Sequence, residues 1–159
     1  MKLFFMLALF SVFSIASQAE EHAKKSINLS PDLKALLVEE MKEVKKGMES
    51  LVTSVAMGDW HAIAETGHNI KHSYIIKKSL TSEQKQELKK VLPAGFKSLD
   101  RKFHYYAGML SHVAKEQDIE LVHYYVSRMN EACTSCHAQF ASARFAGFTQ
   151  KNKHEEHMH

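Results

Sequence analysis

Two thiols and an imidazole stand close together near the end of the chain, in the run Cys133-Thr134-Ser135-Cys136-His137. The chain has 159 residues and no other cysteine. Two cysteines three residues apart, followed directly by a histidine, form the pattern that attaches a c-type haem. Each thiol can form a thioether to one vinyl group of the porphyrin, and the histidine can bind the iron. The spacing predicts one covalent haem c on Cys133 and Cys136, with His137 as the proximal iron ligand.

The same three side chains permit two other interpretations. Two cysteines of an exported protein can form a disulfide. A C-x-x-C disulfide, however, usually belongs to a thioredoxin-like βαβ unit, and no such pattern surrounds this one. Cys133, Cys136 and His137 could also bind a non-haem metal together with a fourth ligand. Haem attachment is the interpretation that best fits cysteines on a helix of an exported chain.

The N-terminus predicts export. Lys2 precedes an apolar run from Leu3 to Ile15, and Ser17-Gln18-Ala19 supplies small residues for cleavage. Residues 1–19 therefore form a predicted signal peptide, cleaved after Ala19, and the rest of the chain is expected in the periplasm. The apolar run is too short for a membrane span, so no integral membrane protein is expected. The net charge of +3 is spread over interspersed lysines and glutamates, which argues against a nucleic-acid partner.

Apolar residues recur at steps of three and four, as in amphipathic helices that pack around a shared core. Four long helices are predicted, the first over about 31–57 and the fourth over about 118–146, with a short extra helix between the second and third. Four sites carry helix-start signals: Ser30-Pro31, Asp59, Thr81 with Gln84, and Asp118. The predicted fold is an all-α, antiparallel up-down-up-down four-helix bundle.

One domain is expected over residues 30–148. Residues 20–29 are predicted to form a flexible segment, and residues 149–159 a His-rich flexible tail. The tail sequence His154-Glu155-Glu156-His157-Met158-His159 could bind copper, nickel or zinc, although a solvated tail is favoured.

A helical bundle with C-x-x-C-H near the end of its last helix resembles the class II c-type cytochromes, the cytochrome c′ family. The likeness is carried by residues 133–137, by Phe140 after them and by the late position of the motif. It implies a periplasmic monohaem electron-transfer protein rather than an enzyme, with other periplasmic redox proteins as partners and a homodimer as a candidate assembly. The family often has a basic residue soon after the histidine, which makes Arg144 a candidate propionate contact.

Members of this family differ on the other side of the iron. Those with an apolar residue there bind nitric oxide or carbon monoxide, whereas low-spin members place a methionine of the first helix on the iron. Such members often show a Leu-Met pair, where this chain has Glu40-Met41. If the first and fourth helices are antiparallel neighbours, His137 is level with about residues 38–40. Met41 lies on the predicted core seam of the first helix, the row of apolar residues at steps of three and four that faces the core. It is therefore the candidate distal ligand, ahead of Met48.

Histidines and tyrosines add further candidates. His104 follows Asp100 by one helical turn and could serve as a haem-pocket residue or as a flanking histidine. His68 and His72 form a pair one turn apart that could be a surface pair or part of a metal site. In the pairs Tyr105-Tyr106 and Tyr124-Tyr125, one ring is expected to line the core or the haem pocket and the other to lie at its rim.

Overall fold

The computed structural model of the protein describes residues 27–148, and these are all-α, with no β-strand among them. Six α-helices occur there: α1 (Pro31–Met57), α2 (Trp60–His72), α3 (Ile76–Ser79), α4 (Ser82–Val91), α5 (Ala94–Lys115) and α6 (Ile119–Phe140). A 3₁₀ helix follows at Ala146–Phe148. No helix within 27–148 is long and apolar enough to cross a membrane. The predicted signal peptide, most of the predicted N-terminal flexible segment and the predicted tail lie outside the described residues.

Three of the predicted helix starts are confirmed. Asp59 and Asp118 each accept a hydrogen bond of 3.0 Å from the backbone N–H three residues later, at the start of α2 and α6. Thr81 and Gln84 form the reciprocal capping box of α4, with bonds of 3.2 and 3.0 Å. Each of these side chains satisfies a backbone N–H that has no partner inside its helix.

The start of α1 differs from the prediction. Pro31 occupies the first turn as expected, but the Ser30 side chain does not cap the helix. Its hydroxyl donates instead to the carboxylate of Glu87 in α4 at 2.9 Å, and its backbone N–H donates to the same carboxylate at 2.7 Å. The carboxylate is the stronger partner for the hydroxyl because it is charged. Ser30 therefore ties α4 to the beginning of α1.

The predicted end of the last helix is wrong. Helix α6 stops at Phe140, because Ala141 leaves the helical conformation at φ −135° and ψ 20°. A turn follows and returns the chain, so that the ring of Phe145 lies against His137. This contact replaces another turn of helix, which periodicity alone would have continued. At the other end of the protein, α1 ends where predicted, at Gly58 with φ +66°.

The long helices share one core. Helix α2 packs along α5, α5 packs along α6, and α1 packs against α2 and the short α3. The backbones of α1 and α6 make no extensive contact within the described residues. Fully buried side chains come from all four long helices: Leu51, Ile63, Ile70, Leu110, Val122 and Met129.

The backbones of α2 and α5 come close together at Gly67. A Cβ added to this residue would lie 2.7 Å from the carbonyl oxygen of Ala107 and 2.8 Å from the backbone nitrogen of Ser111. Only a glycine permits the two backbones to come this near. Gly67 is buried together with Ile63 and Ile70, as their spacing of three and four residues predicts.

Glu40 is a buried carboxylate that fixes the rotation of α1. It is 3% exposed, and it accepts hydrogen bonds from the backbone N–H groups of Tyr74, Ile75 and Ile76 at 2.9, 2.7 and 3.0 Å. Successive residues of a helix point about 100° apart, so Met41 cannot share the inward direction of Glu40. Met41 is 44% exposed, and its predicted place on the core seam is wrong.

Candidate functional site

The two cysteines lie one helical turn apart on α6, half-buried and unbonded. Both are free thiols, so the structure contains no disulfide between them. Burial raises the pKa of Cys133. Burial, then Asp100 of α5, then Cys133 raise the pKa of Cys136 from 9.0 to about 11. Both thiols are therefore protonated at neutral pH, whereas catalytic and metal-binding cysteines have lowered pKa values.

His137 follows the second thiol at the end of α6. It is half-buried, and burial lowers the pKa of its imidazole. The neutral imidazole, which has one unprotonated nitrogen, is the form that binds a metal. No residue within 27–148 makes a hydrogen bond to its ring nitrogens. One face of the ring is stacked on Phe145, with centroids 4.0 Å apart and planes 9° from parallel.

His104 contacts both Ile70, near the end of α2, and Asp100, the carboxylate that acts on Cys136. Its Nδ1 lies 2.7 Å from the carbonyl oxygen of Ile70, and because a carbonyl only accepts, Nδ1 carries a hydrogen and donates it. Its Nε2 lies 3.4 Å from Asp100, so the contact anticipated from their spacing is present. Asp100 in turn acts on the thiol of Cys136. The role of His104 as a haem-pocket residue stays a prediction.

Met41, Met48 and Arg144 are the other predicted site residues. Met41 lies on α1, exposed to solvent, while Met48 is half-buried and packs against the core. Arg144 is exposed in the turn after α6, with no ion pair to any residue in 27–148. Their roles as a distal ligand and a propionate contact stay predictions.

The histidine pair on α2 is exposed. The rings of His68 and His72 are 4.4 Å apart, and desolvation followed by His68, Lys71 and neighbouring lysines of α3 lowers the pKa of His72. Within residues 27–148, no group of three or more His, Cys, Asp or Glu side chains is placed to hold a metal ion.

The tyrosine prediction is confirmed. Tyr106 and Tyr125 pack against the core, whereas Tyr105 and Tyr124 are 60% and 51% exposed. The guanidinium of Arg128 lies 5.6 Å from the centre of the Tyr106 ring, a cation–π contact between α5 and α6.

Sequence reasoning missed two aromatic residues near the motif. Phe96 at the start of α5 meets Phe140 edge to face at 5.5 Å, and Phe145 stacks on His137. Helical periodicity alone predicts Phe96 only as a core residue of its helix. Phe145 had a signal of its own, as a large apolar residue in an otherwise small and polar stretch eight residues after the histidine.

Comparison of the chain with protein-family models, with curated proteins and with solved structures finds no match.

Proposed function

We propose that this protein is an exported monohaem c-type cytochrome that carries single electrons in the periplasm. The observation that supports it best is the donor set on α6. Two free, half-buried thiols lie one turn apart. The imidazole of the adjacent histidine has a lowered pKa, and no residue in 27–148 makes a hydrogen bond to its ring nitrogens. These groups match the two thioethers and the axial ligand of a haem c.

The surroundings of the donor set also suit a flat apolar group. Phe145 stacks on His137, and Phe140, which follows the motif by three residues, meets Phe96, so aromatic surface lies near the motif. The backbones of α1 and α6 have no extensive contact within the described residues, which is consistent with a planar cofactor between these two helices. A bundle that buries most of the cofactor would limit its contact with water.

The proposal includes an up-down-up-down arrangement of the four long helices. Between α2 and α5, Gly67 lies beside Ser111 and Ile70 beside His104, so residue numbers fall on one helix as they rise on the other. Between α5 and α6, the pairs are Phe96 with Phe140 and Tyr106 with Tyr125. Both patterns support antiparallel neighbours.

Bound haem would supply one-electron chemistry by cycling between ferric and ferrous iron. The side chains of Cys133 and Cys136 would hold it covalently, and His137 would bind on the proximal side through its unprotonated nitrogen. His104 is already held by Ile70 and Asp100, so it would add a fixed polar group near Cys136. The packed core would keep these residues in place during oxidation and reduction.

The attachment test uses the full chain exported to a periplasm that attaches haem c. We expect a mass increase of one haem, retained after acid–acetone extraction, in the wild-type protein. The double variant Cys133→Ser, Cys136→Ser should lose it. His137→Ala should attach haem poorly or give an altered spectrum, while His123→Ala, at an exposed site on the same helix, should behave like the wild type. A wild-type protein without covalent haem would overturn the proposal.

The exposure of Met41 favours a second candidate, a five-coordinate protein that binds nitric oxide or carbon monoxide. Met41 is 44% exposed, and the backbone of its helix makes no extensive contact with α6 within the described residues, so packing of the polypeptide alone does not hold Met41 opposite His137. Ferric and ferrous spectra separate the candidates. A low-spin spectrum with a methionine–iron band, lost in Met41→Ala and kept in Met48→Ala, supports the electron carrier. A high-spin spectrum that shifts with carbon monoxide supports the gas binder.

A further inference from the structure

The segment after α6 folds back onto His137. The N–H of Ala141 bonds to the carbonyl of His137 at 3.0 Å, which closes the last turn of the helix. The N–H of Phe145 then bonds to the carbonyl of Ala141 at 3.1 Å, and the chain reverses over the histidine. The rings of Phe145 and His137 come to lie nearly parallel at 4.0 Å. The stack is thus built by backbone hydrogen bonds of this segment.

A parallel ring at this distance restricts its neighbour in two ways. It prevents His137 from turning about its Cβ–Cγ bond, because any rotation would drive the imidazole edge into Phe145. It also keeps water from one face of the imidazole. The two ring nitrogens lie on the edge of the imidazole, so a face-to-face stack leaves them free to bind. A stacked histidine is thus held in orientation without losing its donor atoms.

We propose that Phe145 is a positioning residue for the proximal ligand: it fixes the plane of the His137 imidazole and limits hydration on that side of the cofactor. This inference rests on the proposed function. Groups that orient a metal-binding histidine tune the metal although they never touch it. Phe148 provides a matched control, since its ring lies 6.4 Å from Phe145 and does not stack on the histidine.

The first experiment needs no haem. In the full chain carrying Cys133→Ser and Cys136→Ser, NMR should show the ring protons of His137 displaced upfield by the ring current of Phe145. Phe145→Leu should abolish this displacement, whereas Phe145→Tyr and Phe148→Ala should keep it. His137 signals at ordinary positions in the parent chain would show that the stack does not exist, and the inference would fall whatever the haem result.

The second experiment uses the haem-loaded chain. Phe145→Leu should broaden the signals of the ferric EPR spectrum, because an imidazole plane that is no longer fixed gives a spread of g-values. It should also lower the reduction potential, because water reaches the ligand. Phe145→Tyr should restore both properties, and Phe148→Ala should leave them unchanged. Unchanged spectra and potential in Phe145→Leu would overturn this inference alone, whereas a wild-type chain that attaches no haem overturns the proposed function as well.

Discussion

The surroundings of the two cysteines of α6 raise their pKa values and so disfavour the thiolate forms. Burial and the carboxylate of Asp100 both disfavour the charged form of Cys136, and the pKa near 11 keeps it protonated. Without haem, such thiols are slow to oxidise or to bind metals. Under the proposed function, this property would keep the two thiols unreacted until the haem is attached.

The raised pKa of Cys136 predicts slow alkylation of the folded, haem-free chain. At pH 8, a pKa of about 11 rather than 9.0 leaves about a hundredfold less thiolate. Iodoacetamide should therefore modify Cys136 much more slowly in the folded chain than in denaturant, and the rate should rise up to about pH 11. Asp100→Asn should speed the reaction, with Asp32→Asn as the control; equal rates for folded and unfolded chains would contradict the prediction.

The raised pKa of Cys136 also makes the free energy of unfolding depend on pH. The unfolded thiol releases its proton near pH 9, and the folded thiol only near pH 11. The folded state therefore binds more protons between these values, and this contribution to the free energy of unfolding is present below pH 9 and lost as the pH rises toward 11. Cys136→Ser should remove this part of the alkaline loss of stability in denaturant titrations of the haem-free chain.

The three hydrogen bonds that Glu40 accepts should contribute to the stability of the fold. Glu40→Gln keeps the size of the side chain but leaves one acceptor oxygen where two now serve three backbone N–H groups. The buried amide would also place its own N–H₂ group against those donors. We expect a loss of about 1–3 kcal/mol in the free energy of unfolding. Glu39→Gln, which disturbs only an exposed pair with Lys42, should change it by less than about 0.5 kcal/mol.

At the scale of helices, two contacts organise the molecule. The glycine crossing between α2 and α5 sets how closely the central pair can approach. The carboxylate of Glu87 connects α4 to the N-terminus of α1, whose own serine does not act as a cap. Helix position here depends on backbone contacts as much as on the apolar seams.

The crossing between α2 and α5 can be tested with Gly67→Ala. The added methyl group would meet backbone atoms of Ala107 and Ser111, which cannot move without shifting α5. We expect a loss of about 1–3 kcal/mol in the free energy of unfolding, measured by circular dichroism in urea. Gly95→Ala is the matched control, because its methyl group would meet only the ring end of Phe140 at 3.4 Å and alanine favours a helix. Equal effects of the two substitutions would contradict a close backbone crossing.

At the scale of the whole molecule, the contacts of α1 differ from those of α5. Helix α5 packs between α2 and α6, whereas α1 packs against α2 and α3 and lacks extensive backbone contact with α6 in the described residues. The proposed haem between α1 and α6 would give α1 a packing surface in addition to α2 and α3. Under that proposal, the stability of α1 should depend on the haem more than the stability of α5 does.

Hydrogen exchange can measure this difference. In the double variant Cys133→Ser, Cys136→Ser, amides of α1 should exchange faster than in the haem-loaded protein, while those of the middle of α5 should change much less. Helix α5 serves as the internal reference in the same sample. Equal changes in both helices, or none in α1, would place the cofactor elsewhere than between α1 and α6.

Local patterns predicted much of the fold. Periodicity located the four long helices, and short-range hydrogen bonding located the caps at Asp59, Thr81 and Asp118. The all-α class and the burial of one tyrosine in each pair followed from the same spacing. Such features were predictable because each depends on residues within a few positions of one another.

Two features depend on residues distant in the chain, and a third on a turn that helical periodicity does not predict. Ser30 bonds to Glu87, and Glu40 bonds to residues 74–76 and so turns Met41 outward. Residues after Phe140 leave the helix and place Phe145 on His137. In each case the local pattern allowed an alternative, and a contact formed in the folded chain selected between them.

Covalent order and helical geometry account for the thiols and the histidine, their one-turn spacing and the helical class of the protein. The fold sets the protonation of Cys136, the stacking of His137 and the outward direction of Met41. Burial and electrostatic fields act through space, and a side chain's direction depends on the rotation of its whole helix. The chemistry of the motif was therefore local, whereas its environment was a property of the fold.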